Sequence, residues 1–168
     1  MAGDLFLEGY SGESLAEILA LEVTHRLDSL VLAVESALYN RYEAGEDLSA
    51  PERSVLAVEA FERELNNGGF AQFFYNPSAE FADVLVASLE AIGCSSAASL
   101  AQEAINTLAL DSLDAAGIEA RMDEADSLLE DSLSQLDDAF YATQEDIASA
   151  LFAFIKAHQA NITLVSGN

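Results

Sequence analysis

The sequence predicts an all-α protein, and three observations predict it. Across 168 residues there are only two prolines and nine glycines. Apolar residues recur at steps of three and four almost throughout, the period of an amphipathic helix. Alternating β-branched runs, the mark of half-buried strands, are nearly absent. Hydrophobic residues make up 51% of the chain and mean hydropathy is +0.19, enough material for a core. The expected architecture is a single compact bundle of about seven or eight helices in one domain over residues 1–168.

The elements follow in chain order. Ser14-Leu-Ala-Glu17 has capping-box spacing and opens a first helix toward residue 25. Leu27, Leu30, Val31, Val34 and Leu38 form the stripe of a second, which extends as far as Tyr42. Ser49-Ala-Pro51-Glu52 is another capping box, with the proline tolerated in the first turn. It starts a third helix, carrying Val55, Val58, Phe61 and Leu65, that stops at Gly68-Gly69. The aromatic knot Phe70-Ala-Gln72-Phe73-Phe74-Tyr75 makes a short helix that must end before Pro77. Ser78 is read as the cap of the next helix (Phe81, Val84, Leu85, Leu89, Ile92), which Gly93 ends. A further helix spans about 96–110. One long helix is expected from near Gly117 to Leu136 or beyond, and a last one from Thr143-Gln-Glu-Asp146 onward. The tail 161–168 is expected to fray.

Charge is the most unusual property of the chain. Thirty Asp and Glu face six Lys and Arg, a net charge of -24. Such a molecule repels nucleic acid and anionic membranes, so its field favours a basic partner. Residues 111–146 concentrate twelve of the acids, with Arg121 the single base among them. Within this stretch Ile118, Met122, Ala125, Leu129, Leu136 and Phe140 form a buried stripe. Glu119, Asp123, Asp126, Glu130 and Asp137 stand one position on, as a parallel row of carboxylates. Glu124, Asp131 and Asp138 form another, spaced by sevens. Two plainer readings compete: a solvated helix face, and adaptation to high salt. Against the second, residues 64–110 hold only five acids, where salt adaptation would spread them evenly.

Little in the chain speaks for catalysis or metal binding. Glu22-Val-Thr-His25 has one Glu-x-x-His spacing where di-iron bundles need two, and His158 has no such partner. No phosphate loop, dinucleotide fingerprint or hydrolase elbow occurs. No enzyme activity, metal or cofactor is expected. Cys94, the single cysteine, reads as a small buried residue and excludes an internal disulfide. No apolar run is long enough to span a membrane, and the first residues lack a signal peptide's basic start. A cytoplasmic location follows as the expectation.

One segment resembles a known family. Glu64-Leu-Asn66-Asn67-Gly68-Gly69-Phe70-Ala-Gln72-Phe73-Phe74-Tyr75-Asn76-Pro-Ser78 is similar to the Asn-Gly-Gly-Phe signature of a bacterial family of small all-α proteins. Ala79 stands where many members have glycine. Leu89-Glu-Ala-Ile92-Gly93 and Leu136-Asp137-Asp138-Ala-Phe140-Tyr141 resemble later parts, so the likeness covers about residues 50–158. The family's characterised representative is a dimeric DNA mimic that binds DNA-binding proteins through an acidic surface. The resemblance therefore implies a homodimer whose partner is a DNA-binding protein such as a repressor-type transcription factor; with the charge, the expected function is that of a non-enzymatic DNA mimic that binds such a repressor or a histone-like protein. Asn67, Gly68, Gly69, Phe70, Gln72, Phe73, Phe74 and Asn76 read as structural: glycines for a tight turn, aromatics for a core, and asparagines to satisfy loop backbone. The residues expected to meet the partner are Glu119, Asp123, Asp126, Glu130, Asp131, Asp137 and Asp138. The competing function is a plain helical interaction module whose acidity only keeps it soluble.

Overall fold

A computed structural model describes residues 3–165. Among them are eight α-helices and no strand, the all-α class that the periodicity predicts. The helices are α1 (Leu15–Ala20), α2 (Leu27–Glu43), α3 (Ala50–Tyr75), α4 (Ala82–Ala91), α5 (Ser95–Leu108), α6 (Ala115–Asp123), α7 (Ser127–Ala142) and α8 (Ile147–Ala157). They fall into two compact units. One comprises the residues up to Leu56 with those from Asp146 onward; the other is Ala57–Glu145.

In the first unit α2 packs on α8 and on α1. Leu30, Val31, Val34 and Leu38 of α2, and Ile147, Leu151, Phe154 and Ile155 of α8, are all buried, as their spacing predicts. Both capping boxes form. Glu17 N–H donates to Ser14 Oγ (3.2 Å), and Ser14 N–H to Glu17 Oε2 (2.7 Å). Ser49 N–H donates to Glu52 Oε2 (2.8 Å), and Glu52 N–H to Ser49 Oγ (3.3 Å). Glu52 also receives Arg41 Nη1 (2.8 Å) and the N–H of Thr163 (2.7 Å). Burial opposes ionisation of this carboxylate, but those donors outweigh it and hold its pKa below the usual value. The residues of the 161–165 tail are thus tied down. Ser49 Oγ donates to Asn161 O (2.8 Å), and Ile162 and Leu164 are buried. Fraying was expected there; residues 166–168 lie outside the described residues.

In the second unit α5 packs on α4 and α7, and α6 on a 3-10 turn at Pro77–Phe81. The centre is aromatic. Phe61 meets Phe70, Phe73 and Phe140 at ring-centroid distances of 5.8, 6.1 and 5.4 Å. Three element boundaries differ from the sequence reading. Helix α1 gives way after Ala20 to a 3-10 turn, Leu21–Val23, instead of running on toward residue 25. Ser78 caps no helix: it is buried in the 3-10 turn and donates its hydroxyl to Phe73 O at 2.9 Å, while α4 begins only at Ala82. Helix α5 ends at Leu108 rather than near 110, because Ala109 turns into the left-handed region (φ 54°).

The largest difference concerns the acidic helix. It is two helices, α6 and α7, parted at Glu124-Ala125-Asp126. Asp126 is extended (φ -106°, ψ 173°), and its carboxylate accepts the N–H of Leu129 at 3.0 Å. A short acidic side chain competes well for a free N–H at a helix start. The break also puts Glu130 in the first turn of a new helix, where the dipole favours negative charge. The row from Glu119 to Asp137 is therefore not one continuous helical stripe.

Candidate functional site

The second unit carries most of the charge. Residues 57–145 hold eighteen Asp and Glu against Arg63 and Arg121, a net of -16 out of -24. Arg121 is engaged inside the unit: its Nε donates to Leu108 O at the end of α5 (3.1 Å), where a helix favours a cation.

The twelve acids of residues 111–146 sort into two groups. Five bond backbone amides. Asp114 accepts Gly117 N–H (2.8 Å), Asp126 accepts Leu129 N–H, and Asp146 accepts Ser149 N–H (3.0 Å), so these three cap α6, α7 and α8. Those contacts to Gly117 and to Ser112 hold the Asp114 carboxyl below the ordinary aspartate range. Glu145 caps α5 from outside it, accepting the N–H groups of Ser96 and Ala97 at 2.9 Å each. Asp137 accepts the N–H of Phe70 at 2.7 Å.

The remaining seven are Asp111, Glu119, Asp123, Glu124, Glu130, Asp131 and Asp138. All are exposed, and none has a hydrogen-bond or ion-pair partner among the described residues. Of the seven acids expected to meet a partner, five are thus on this free surface. Asp126 is exposed but serves as a cap, and Asp137 is half-buried. Sequence reasoning left Asp111 out of the acidic rows and Glu124 out of the partner set. Glu119 and Asp123 lie one turn apart on α6, about 6 Å along the axis. Asp131 and Asp138 lie two turns apart on α7, about 10.5 Å along it. Leu128 stands among these acids, 75% exposed.

The Asn67-Gly68-Gly69-Phe70 segment lies against α7. Gly69 is a real break in α3, with φ 81° and ψ -168°, a conformation essentially confined to glycine. A Cβ there would overlap the Asp137 carboxylate. Tyr141, one turn beyond Asp137, donates its hydroxyl to Leu65 O. Tyr75 donates to Met122 O at 2.8 Å, near the end of α6. Phe70, Phe73 and Phe74 are buried, as expected of a core, and Gln72 folds over Gly68. Asparagine behaves differently from the expectation. Asn76 donates to the Glu64 carboxylate (2.9 Å) rather than to backbone, and Asn67 is exposed without a side-chain bond among the described residues.

Burial pushes the Asp137 pKa up. The Phe70 N–H pulls against that, and neighbouring Asp138 adds to it. A carboxyl raised in the fold contributes stability below its unfolded pKa of about 4, and loses it as pH rises through the folded value. Wild type should therefore lose stability relative to Asp137→Asn as pH climbs through that window. Urea unfolding of both proteins at several pH values measures the difference; a constant difference would contradict the raised value.

Among the described residues no group of three or more His, Cys, Asp or Glu is placed to hold a metal ion. Glu22 is taken by Lys156, whose Nζ lies 2.6 and 2.8 Å from its two oxygens. No described helix is long and apolar enough to cross a membrane.

A family described as DMP19-like protein matches residues 46–158. The chain belongs to the DMP19-like family. The family takes its name from DNA mimic protein 19. Its match covers α3 to α8, and therefore the whole Ala57–Glu145 unit with its free carboxylates; α1 and α2 precede it. No curated protein and no solved structure matches the chain.

Proposed function

We propose that this DMP19-like protein is an acidic DNA mimic that occupies the DNA-binding surface of a basic protein, either a repressor-type transcription factor or a histone-like protein. The observation that carries the reading is the set of seven exposed, partnerless carboxylates in residues 111–138 of a family member. Each DNA strand carries a phosphate every 3.4 Å of axis. Asp131 and Asp138 are then separated by about three phosphate steps, and Glu119 and Asp123 by about two. Lysine and arginine side chains that grip phosphates could pair with these carboxylates instead. The sequence leads us to expect it in the cytoplasm, and as the homodimer that the resemblance implies the molecule would present the surface twice.

Competition tests the proposal. A purified bacterial histone-like protein and a helix-turn-helix repressor domain would each be loaded with a short fluorescein-labelled duplex. The acidic protein should displace the duplex from at least one of them, and displacement should weaken steeply as salt rises. A ternary complex, or no displacement from either at low salt, would reject the mimic. The exposed Leu128 favours a second reading, a helical module whose partner docks on apolar surface. Such a complex would hold its affinity as salt rises.

A further inference from the structure

The residues 64–76 that resemble a signature do not reach the free carboxylates, but they touch both helices that carry them. Three contacts do this. Tyr141 Oη, from α7, donates to Leu65 O, four residues before the Gly69 break in α3. Asp137, one turn earlier on α7, accepts the N–H of Phe70 (2.7 Å), the first amide after the Gly69 break. Tyr75, at the end of α3, donates to Met122 O (2.8 Å), next to the last residue of α6. Each contact joins a side chain of one helix to a backbone group at a break or end of another, and Met122 O also accepts the N–H of Ala125 (3.0 Å). Two are made by side chains of α7 onto α3, and one by a side chain of α3 onto α6.

We propose that Tyr75, Asp137 and Tyr141 are positioning residues that mount α6 and α7 on α3 and hold their carboxylates in register. Asp137, although acidic, then makes no contact with the partner. The proposal rests on the binding surface proposed above. It divides the neighbours Asp137 and Asp138 by role. Consecutive helix residues point about 100° apart, so Asp138 is exposed while Asp137 is turned toward the Gly69 break. Leu133 and Phe140, on the same side of α7 as Asp137, are buried. Gly69 has no side chain, and that vacancy is what admits the Asp137 carboxylate.

Four substitutions separate positioning from contact: Asp137→Asn, Asp137→Ala, Asp138→Asn and Tyr141→Phe. Binding to the purified histone-like protein would be measured from low to moderate salt, beside thermal melts. Asp138→Asn should weaken binding threefold or more at low salt. It should also flatten the dependence of affinity on salt, with melting unchanged. Asp137→Asn, which keeps an acceptor for the Phe70 N–H, should leave affinity and salt slope within about twofold. Asp137→Ala should lower melting and affinity together, and Tyr141→Phe should do the same more weakly. If Asp137→Asn instead flattens the salt slope as Asp138→Asn does, Asp137 is a contact and the proposal falls. Equal melting for Asp137→Ala and wild type would also overturn it.

Should wild type bind neither basic protein, the mimic reading fails, and the statement that Asp137 makes no contact fails with it. The mount is still decided by hydrogen exchange at the Phe70 amide. Slow exchange in Asp137→Asn and fast exchange in Asp137→Ala support it; equal rates reject it.

Discussion

Gly69→Ala should melt about 10 °C below wild type. The φ of 81° with ψ -168° lies where only glycine is comfortable, which costs a side chain about 1–3 kcal/mol. The added Cβ would also overlap the Asp137 carboxylate, so that group must leave. Its departure strands the buried Phe70 N–H, at roughly 1–3 kcal/mol more. A chain of this size loses about 2–4 °C per kcal/mol. Gly68→Ala is the matched control. The atoms nearest its Cβ would be those of the Gln72 side chain, whose amide end can swing aside, and the φ there is not in the left-handed region, so the cost should stay under about 1 kcal/mol. Circular dichroism melts of both variants decide the matter. Similar melting points for the two would show that neither the break nor the carboxylate behind it matters to stability. The double variant Gly69→Ala with Asp137→Ala should cost less than the sum of its parts, because both remove one contact.

Neutralising the free acids should do the opposite: abolish binding and spare the fold. The substitutions are Glu119→Gln, Asp123→Asn, Glu130→Gln, Asp131→Asn and Asp138→Asn, which move the net charge from -24 to -19. Affinity for the DNA-binding protein from which the duplex is displaced should fall at least a hundredfold at low salt. The dependence on salt should flatten as well, because five of the charges that salt screens are gone. Melting should hold or rise, since like charges one turn apart cost a few tenths of a kcal/mol per pair. Asp114, Asp126, Asp137, Glu145 and Asp146 stay untouched, because each holds a backbone amide. Unchanged affinity would end the mimic reading; collapse of the helical signal would mean that these carboxylates are structural after all.

The difference between those two groups of acids marks the limit of what was legible in the sequence. Helix class, both capping boxes, the stop at Gly68-Gly69 and the buried stripes of α2, α4 and α8 were all readable, because each follows from spacing within a few residues. The break at Glu124–Asp126 was missed although a local signal existed. Asp126 is a good cap residue three positions before the amide it bonds, with an acid in the turn that follows. The apolar stripe continues through it at helical spacing, and that pattern hid the cap.

Other roles had no local signal. Asp137 bonds an amide 67 positions away, Tyr141 a carbonyl 76 away, and Glu145 two amides nearly 50 away. In the sequence all three look like ordinary members of an acidic, amphipathic stretch.

The sequence by itself determined the all-α class, the excess of carboxylate and its concentration after residue 110. Period and composition are local quantities, and they survive without knowing what packs on what. Only the tertiary structure decided that Asp137 and Glu145 turn to backbone amides far along the chain while their neighbours face water. That depends on which backbone groups folding leaves open, and on which distant side chain folding brings within 3 Å of them.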